Sequence, residues 1–399
     1  MLWTFSQILI PIKFLPQGLL IKIEIFKSAI PIFLAIVSII LYRNSIRLNV
    51  FLWPFIAFVF YLVLTSILKY FIINTSANIF DDILKYFLWT TVMFFVFPKI
   101  FNTLYKVRFF LKYSIILIVF FIILTTIFFI SQGVNPLLFI VEGRMELFYG
   151  NPLYLGGISY TVLCSSIILL KLFPSTLLRY FLNFSVILSF LLIYLATART
   201  FLLATVVMFI IYGYNTNKYF KSIIWVWIFP FLIGTYYFFN NLDYNELSSN
   251  RLYLWKEALA ANSNIKNLIF GNFDLGYVKS LKLDSGESVV QSFQRYAIDN
   301  TYIEIFINTG VIGFFLFIIG LKNILSLKNY WLVIFNKTRK LKKIFYISYS
   351  VLISLLVSAL FYGFYPSFGN TLNSVLFPVV ISILFLPKNY TFEISKTKN

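Results

Sequence analysis

The chain has 399 residues, of which 60% are hydrophobic and only 12% are charged, and its mean hydropathy is +0.87. Soluble domains contain roughly 45 to 50% apolar residues, so this composition excludes a water-soluble globular protein. Lys and Arg number 33 against 14 Asp and Glu, but they cluster between apolar runs, which is typical of membrane topology signals and argues against nucleic acid as a partner.

The apolar runs predict an all-α polytopic membrane protein, because a membrane-crossing helix needs about 20 apolar residues. We predict about twelve such helices in one membrane domain, 1–399, near residues 3–21, 25–42, 48–68, 83–98, 111–130, 153–170, 180–197, 200–214, 222–239, 300–320, 344–362 and 371–387. Pro11, Lys13 and Pro16 interrupt the first run. An interfacial helix there would reduce the count to eleven.

Two polar segments between the apolar runs are unusually long, residues 131–152 and 240–299. Loops that join membrane helices are usually a few residues long, so we expect the function to depend on these segments. Basic residues concentrate in alternate loops, and the other set of short loops carries only Lys22, Lys27, Lys69, Arg144 and Arg199. The positive-inside rule then places both termini in the cytoplasm and both long segments outside it.

Several chemistries are excluded by composition. The chain has no histidine, which excludes a Ser-His-Asp triad and an HExxH zinc helix. A single cysteine, Cys164, excludes an intrachain disulfide and a structural zinc site. We expect Cys164 to be a small packing residue, and we expect no metal and no cofactor.

Three arginines come from three predicted outer segments. Arg144 precedes a Gly-Asn-Pro turn, Arg199 lies between two apolar runs, and Arg251 opens a stretch whose apolar spacing predicts a short amphipathic helix near the bilayer surface. Each has a non-functional interpretation as a surface, snorkelling or topology residue. Together they can converge on one polyanion, since the arginine fork binds phosphate oxygens bidentately.

Two carboxylates flank the start of the predicted helix near Asn300, namely Asp299 and Glu304. A carboxylate at a membrane boundary can accept a proton in catalysis. Asp299 can equally be a helix cap. Glu142 and Glu146 are the further carboxylates of the smaller outer segment.

Four segments, in chain order, carry a family resemblance: GRMELFYGNPLYLGG, TARTFLLA, NRLYLWKEAL followed by LIFGNFDLGY, and DNTYIEIFINTGVIGFFLF. Over roughly Gly143 to Phe317 the chain resembles the O-antigen ligase and polymerase superfamily, and most of all the Wzy-type polymerases of O-antigen or capsular polysaccharide. The resemblance implies a glycosyltransferase in the bacterial cytoplasmic (inner) membrane. It would transfer a chain from undecaprenyl pyrophosphate onto a second lipid-linked repeat unit at the outer face.

The resemblance also implies roles for particular residues. Arg144, Arg199 and Arg251 would hold the pyrophosphate. Asp299 would be the first candidate base and Glu304 the second. Aromatic side chains could stack on sugar faces, although packing within the protein is the alternative; the candidates are Tyr253, Trp255 and Tyr302. The implied partners are the lipid-linked oligosaccharide, the bilayer and a protein that regulates chain length.

Two other functions remain open at this point. The related ligases carry a histidine before the Asn-x-Tyr of the last motif, where this chain has Asp299, and this departure favours a polymerase over a ligase. A flippase or transporter of the same lipid-linked oligosaccharides would also need outer cations. Transporters typically have internal repeats and charged residues at the membrane midplane, and the sequence shows neither.

Overall fold

The computed structural model describes residues 52–73, 91–131, 140–141, 144–145, 152–172, 176–217, 220, 255–256, 259–260, 264–271, 300–334, 339–360 and 376–386. Within these residues the chain is helical apart from one antiparallel β ladder of two short strands.

The helices and strands follow one another along the chain. They are α1 Trp53–Ile73, a π-helix Val92–Val96 leading into α2 Phe97–Ile100, α3 Leu104–Ser131, β1 Ile140–Val141, β2 Arg144–Met145, α4 Pro152–Leu172, α5 Thr176–Leu195, α6 Arg199–Thr216, α7 Ile265–Phe270, α8 Thr301–Ile334, α9 Arg339–Ser358 and α10 Leu376–Leu386.

Among the described residues, five helical segments are long and apolar enough to cross a membrane: Leu104–Phe128, Leu153–Leu172, Leu177–Leu195, Thr301–Leu327 and Leu341–Ser358. Two shorter apolar helices are Trp53–Thr65 and Leu376–Leu386. The protein is therefore an α-helical, multi-pass membrane protein, as its composition predicts. The predicted spans 3–21, 25–42 and 222–239 lie outside the described residues, so the count of twelve stays a prediction.

Helix α4 lies at the centre of the packing, and α3, α5, α6 and α9 all contact it. Small side chains allow helices in a membrane to approach closely. A Cβ atom added at Gly156 of α4 would meet the Cβ of Ala198. The buried Tyr160 hydroxyl hydrogen-bonds to Ser354 of α9. Cys164 is buried with its Sγ atom 3.7 Å from the Met208 sulfur, the placement expected of a packing residue.

Helices α1 and α8 pack side by side in opposite directions. The Phe58 and Phe317 ring centroids are 6.1 Å apart, and a Cβ atom at Gly320 would meet the ring of Phe55. Toward the other end of α1, the Tyr61 hydroxyl donates a hydrogen bond of 2.8 Å to the Thr309 carbonyl. The glycine at position 320 thus makes room for an aromatic ring.

A kink interrupts α8 at Gly310, whose φ of 65° and ψ of −171° are not helical. Gly271, the residue that follows the end of α7, also has a positive φ of 77°. A Cβ atom at Gly271 would overlap the Asn308 carbonyl, and one at Gly310 would overlap the Ile269 carbonyl. Helix α7 therefore docks into the kink with backbone against backbone, which only glycine permits.

Gly310→Ala should undock α7 and lower the thermal stability of the purified protein. Alanine at this position would suffer both the unfavourable positive φ, which costs about 1 to 3 kcal/mol, and the clash with Ile269. The measurement is the melting temperature in detergent together with protease cleavage near residue 271. Ile312→Ala, an exposed position two residues further along α8, is the control. Equal melting and cleavage of the two variants would contradict the prediction.

Candidate functional site

Arg199 is presented by a short turn that joins α5 to α6. Thr197 in this turn has a positive φ of 44°, and its carbonyl accepts a hydrogen bond of 2.9 Å from the Arg199 backbone N–H. Ala198 and Thr200 on either side are buried, whereas Arg199 is exposed. The turn thus holds the backbone of Arg199 in the protein while the side chain remains accessible.

Arg199 is the first residue of α6. A helix N-terminus carries a partial positive charge, so an arginine there gains nothing from the helix dipole. The helix terminus and the guanidinium instead both favour an anion bound beside them. This arrangement suits a phosphate group better than it suits the stability of α6.

The turn that carries Arg199 is anchored to two other helices. Ala198 packs against Gly156 at the start of α4. The Phe201 and Tyr160 ring centroids are 5.7 Å apart, and the Tyr160 hydroxyl bonds to Ser354 of α9. These contacts fix the position of the turn relative to α4 and α9.

The N-terminus of α8 is also fixed to α9. The Thr301 backbone N–H donates to the Ala359 carbonyl over 2.9 Å, and the Tyr302 hydroxyl donates to the Leu356 carbonyl over 2.9 Å. Since Ser354 of the same helix end binds Tyr160, the first turns of α6 and α8 lie at one end of the helix group. The structure thus brings Arg199 and the start of α8 to the same end.

Asn300 is the residue whose side chain caps α8. Its Oδ1 atom accepts hydrogen bonds of 3.0 Å from the backbone N–H groups of Tyr302 and Ile303. The side chain of Asn300, the neighbour of Asp299, thus caps this helix. Asp299 itself lies outside the described residues, and its roles as a base or as a cap stay predictions.

Glu304 lies in the first turn of α8, where its backbone N–H donates to the Asn300 carbonyl over 3.0 Å. A carboxylate in this turn is stabilised by the helix dipole, so its location alone does not require a catalytic role. Tyr302 packs against the buried core, and its hydroxyl donates a hydrogen bond to the Leu356 carbonyl. This placement favours packing over sugar stacking for Tyr302.

The other candidate residues are described in part. Arg144 lies in β2, its backbone paired with Val141, and this strand contacts both α4 and α5. Trp255 lies in a helical stretch at 255–256 and is half-buried. The other four candidates lie outside the described residues: Glu142, Glu146, Arg251 and Tyr253. Of Arg144 only the backbone is described. The convergence of three arginines on one anion stays a prediction.

Basic side chains mark the opposite end of the helix group. The Lys171 Nζ atom lies 6.0 Å from the centre of the Tyr212 ring, where α4 and α6 end, far along both helices from Gly156 and Ala198. Lys322 of α8 and Lys343 of α9 are exposed toward the corresponding ends of their helices. The orientation of the chain in the membrane stays a prediction.

No protein-family model matches the chain, and no curated protein matches it either.

Proposed function

We propose that the chain is a polysaccharide polymerase related to the O-antigen ligase and polymerase superfamily, acting at the outer face of the bacterial cytoplasmic membrane. In this proposal about twelve helices cross the membrane, both termini are cytoplasmic, and residues 240–299 lie mostly outside. The observation that carries the proposal is Arg199. It is exposed at the first residue of α6 and lies at the same end of the helix group as the start of α8.

The proposed reaction transfers a glycosyl chain. A hydroxyl of one lipid-linked repeat unit attacks the anomeric carbon of the chain on a second lipid. The bond from that carbon to the pyrophosphate oxygen breaks, and its electron pair leaves with undecaprenyl pyrophosphate. The hydroxyl proton passes to a carboxylate. Because the donor carries its own leaving group, the reaction needs no nucleotide sugar.

Arg199 would act on the leaving group. Negative charge grows on the pyrophosphate as the glycosidic bond breaks, and a fixed guanidinium beside a helix N-terminus stabilises that charge without reorganisation. Arg144 and Arg251 would add to this field from neighbouring segments. A location at the membrane boundary would allow the lipid tail to stay in the bilayer while the pyrophosphate reaches the arginines.

Asp299 would be the first candidate for the proton acceptor. It immediately precedes Asn300 in the sequence, whose side chain caps α8. Glu304, one turn into α8, would be the second candidate. General-base catalysis contributes about 10²–10⁴-fold in rate.

The kink in α8 bears on the transporter alternative. Transporters often bind substrates at the break of a discontinuous helix, where free backbone groups line a cavity. In this chain the break at Gly310 is filled by the backbone of α7, and the Tyr61 hydroxyl satisfies the Thr309 carbonyl. A break closed in this way supports a docking role and favours the polymerase.

A deletion strain separates the candidate functions. Loss of a polymerase should leave single repeat units attached to their surface acceptor, and restoring the gene should restore a ladder of chains. Loss of a flippase would instead trap lipid-linked repeat units in the cytoplasm. Loss of a ligase would leave long chains on undecaprenyl pyrophosphate. Either of the last two results would refute the polymerase.

The orientation has its own test. A reporter inserted after Ser285 should be extracytoplasmic, and one inserted after Lys337 should be cytoplasmic, because basic residues concentrate on the second side. Alkaline phosphatase and green fluorescent protein fusions measure the two locations. A cytoplasmic reporter at Ser285 would reverse the orientation and remove the outward-facing site.

A further inference from the structure

Helix α7 belongs to the long polar segment 240–299, yet most of its side chains are apolar and exposed. The exposed fractions are 72% for Ile265, 40% for Leu268, 37% for Ile269 and 45% for Phe270. Four exposed apolar side chains in a six-residue helix would be unfavourable in water. The position of the helix indicates what covers them.

The first measure of that position comes from α8. Helix α7 docks at Gly310, and the first lysine that follows on α8, Lys322, is exposed. Twelve helical residues separate the two, which is about 18 Å along the axis. If Leu327, the end of the apolar segment, marks the membrane boundary instead, the distance is about 26 Å. Both values are smaller than the hydrocarbon thickness of about 30 Å.

Two other helices give consistent depths. Thr301 at the start of α8 bonds to Ala359, which lies sixteen residues, about 24 Å, beyond the exposed Lys343 of α9. Gly310 lies further along α8, so the α7 junction is closer still to the end of the helix group that carries Lys343. On α1, Tyr61 reaches the Thr309 carbonyl and lies about 12 Å beyond Trp53, an exposed aromatic residue of the type found at membrane interfaces. Three helices therefore place the α7 junction between the two membrane surfaces.

We infer that residues 264–271 return into the bilayer, and that the exposed apolar side chains of α7 contact lipid acyl chains. The inference depends only on the depth of α7 in the membrane. It therefore holds whichever face of the membrane is cytoplasmic and whatever reaction the protein catalyses. It differs from the expectation that all of residues 240–299 lie outside the membrane.

The backbone of this segment meets the requirement of a lipid environment, where polar groups must be satisfied within the protein. The Asn264 Oδ1 atom accepts from the Lys266 N–H over 3.1 Å. The N–H groups of Leu268 and Gly271 donate to the carbonyls of Asn264 and Asn267 over 2.8 Å each. Lys266 lies near the start of the helix, and its flexible stem allows the ammonium group to reach the headgroups.

The inference is tested by measuring how often small paramagnetic molecules collide with spin labels on α7. In a Cys164→Ala background, single cysteines at Leu268 and Phe270 are spin-labelled, and the protein is reconstituted in lipid nanodiscs. Relaxation is measured with oxygen, which concentrates in lipid, and with a water-soluble nickel chelate. Phe120→Cys, at a 62% exposed position within the α3 span, is the lipid control. Asn217→Cys, at the exposed position just after α6, is the water control.

Labels at positions 268 and 270 should behave like the label at 120, with a several-fold preference for oxygen over nickel. Preference for nickel, as at 217, would place α7 in water and overturn the inference. Protection from both probes, together with a disulfide-linked dimer through position 268, would show a second copy of the chain in place of lipid and would also overturn it. The readout does not involve activity, so a failure here would leave the proposed polymerase reaction untouched.

Discussion

Arg199→Lys is expected to abolish long polysaccharide chains although it keeps the positive charge. An ammonium group cannot reproduce the two parallel hydrogen bonds that a guanidinium makes to phosphate oxygens. The loss of one fixed stabilising group in a polar transition state costs about 10²–10³-fold in rate. The turn offers no compensation, because Ala198 and Thr200 are buried and prevent the backbone from moving closer. The measurement is ladder length in a deletion strain at equal protein level.

Two further variants define what this result means. Arg179→Ala removes an exposed arginine near the start of α5, at the opposite end of the helix group, and should leave the ladder unchanged. Arg251→Ala should shorten it as Arg199→Lys does. Near-normal ladders from both Arg199→Lys and Arg251→Ala would assign these arginines to topology and leave the pyrophosphate without its proposed site.

Much of the helical arrangement could be predicted from apolar runs alone. The run near 153–170 appears as the apolar segment Leu153–Leu172, because the length of such a run is set by the bilayer. Helix α8 is longer than the predicted 300–320, reaching Ile334. Hydropathy marks where a helix leaves the membrane, whereas the backbone hydrogen bonds that propagate a helix continue into the polar region beyond it.

The docking of α7 could not be predicted in this way. Its partners are far apart in sequence, since Tyr61 and Thr309 are 248 residues apart. Gly271 and Gly310 are each unremarkable as single glycines in the sequence. Their meaning arises from the contact between them, where a Cβ atom on either residue would overlap the other segment. A pattern read along one chain carries no direct information about such a pair.

Some features of the candidate site could be predicted from the sequence and others could not. The location of Arg199 at a helix boundary follows from the very short gap between two apolar runs, and the structure places it at the start of α6. That the Asn300 side chain caps α8 does not follow from sequence, because Asp and Asn cap about equally well. It is shown only by the hydrogen bonds from the Tyr302 and Ile303 N–H groups to that side chain.

That assignment sharpens the test of Asp299. Asp299→Asn should reduce polymerisation by about 10²–10⁴-fold, the usual contribution of a general base. The amide keeps the shape and hydrogen bonding of the carboxyl group but cannot take a proton. Binding of the lipid-linked donor should persist, since the arginines are unchanged. Ladder length and donor binding by the purified protein are the two measurements.

Asn300→Ala is the matched control, because it removes the cap and leaves the carboxylate. Loss of a helix cap costs about 1 kcal/mol, so this variant should melt earlier while retaining most of its activity. Asp299→Asn should do the reverse, with normal melting and no ladder, since Asn caps a helix about as well as Asp does. A full ladder from Asp299→Asn would exclude Asp299 as the base. Glu304 would then be the next carboxylate to replace, followed by Glu142 and Glu146, because the attacking hydroxyl must still lose its proton to some group at that end of the helices.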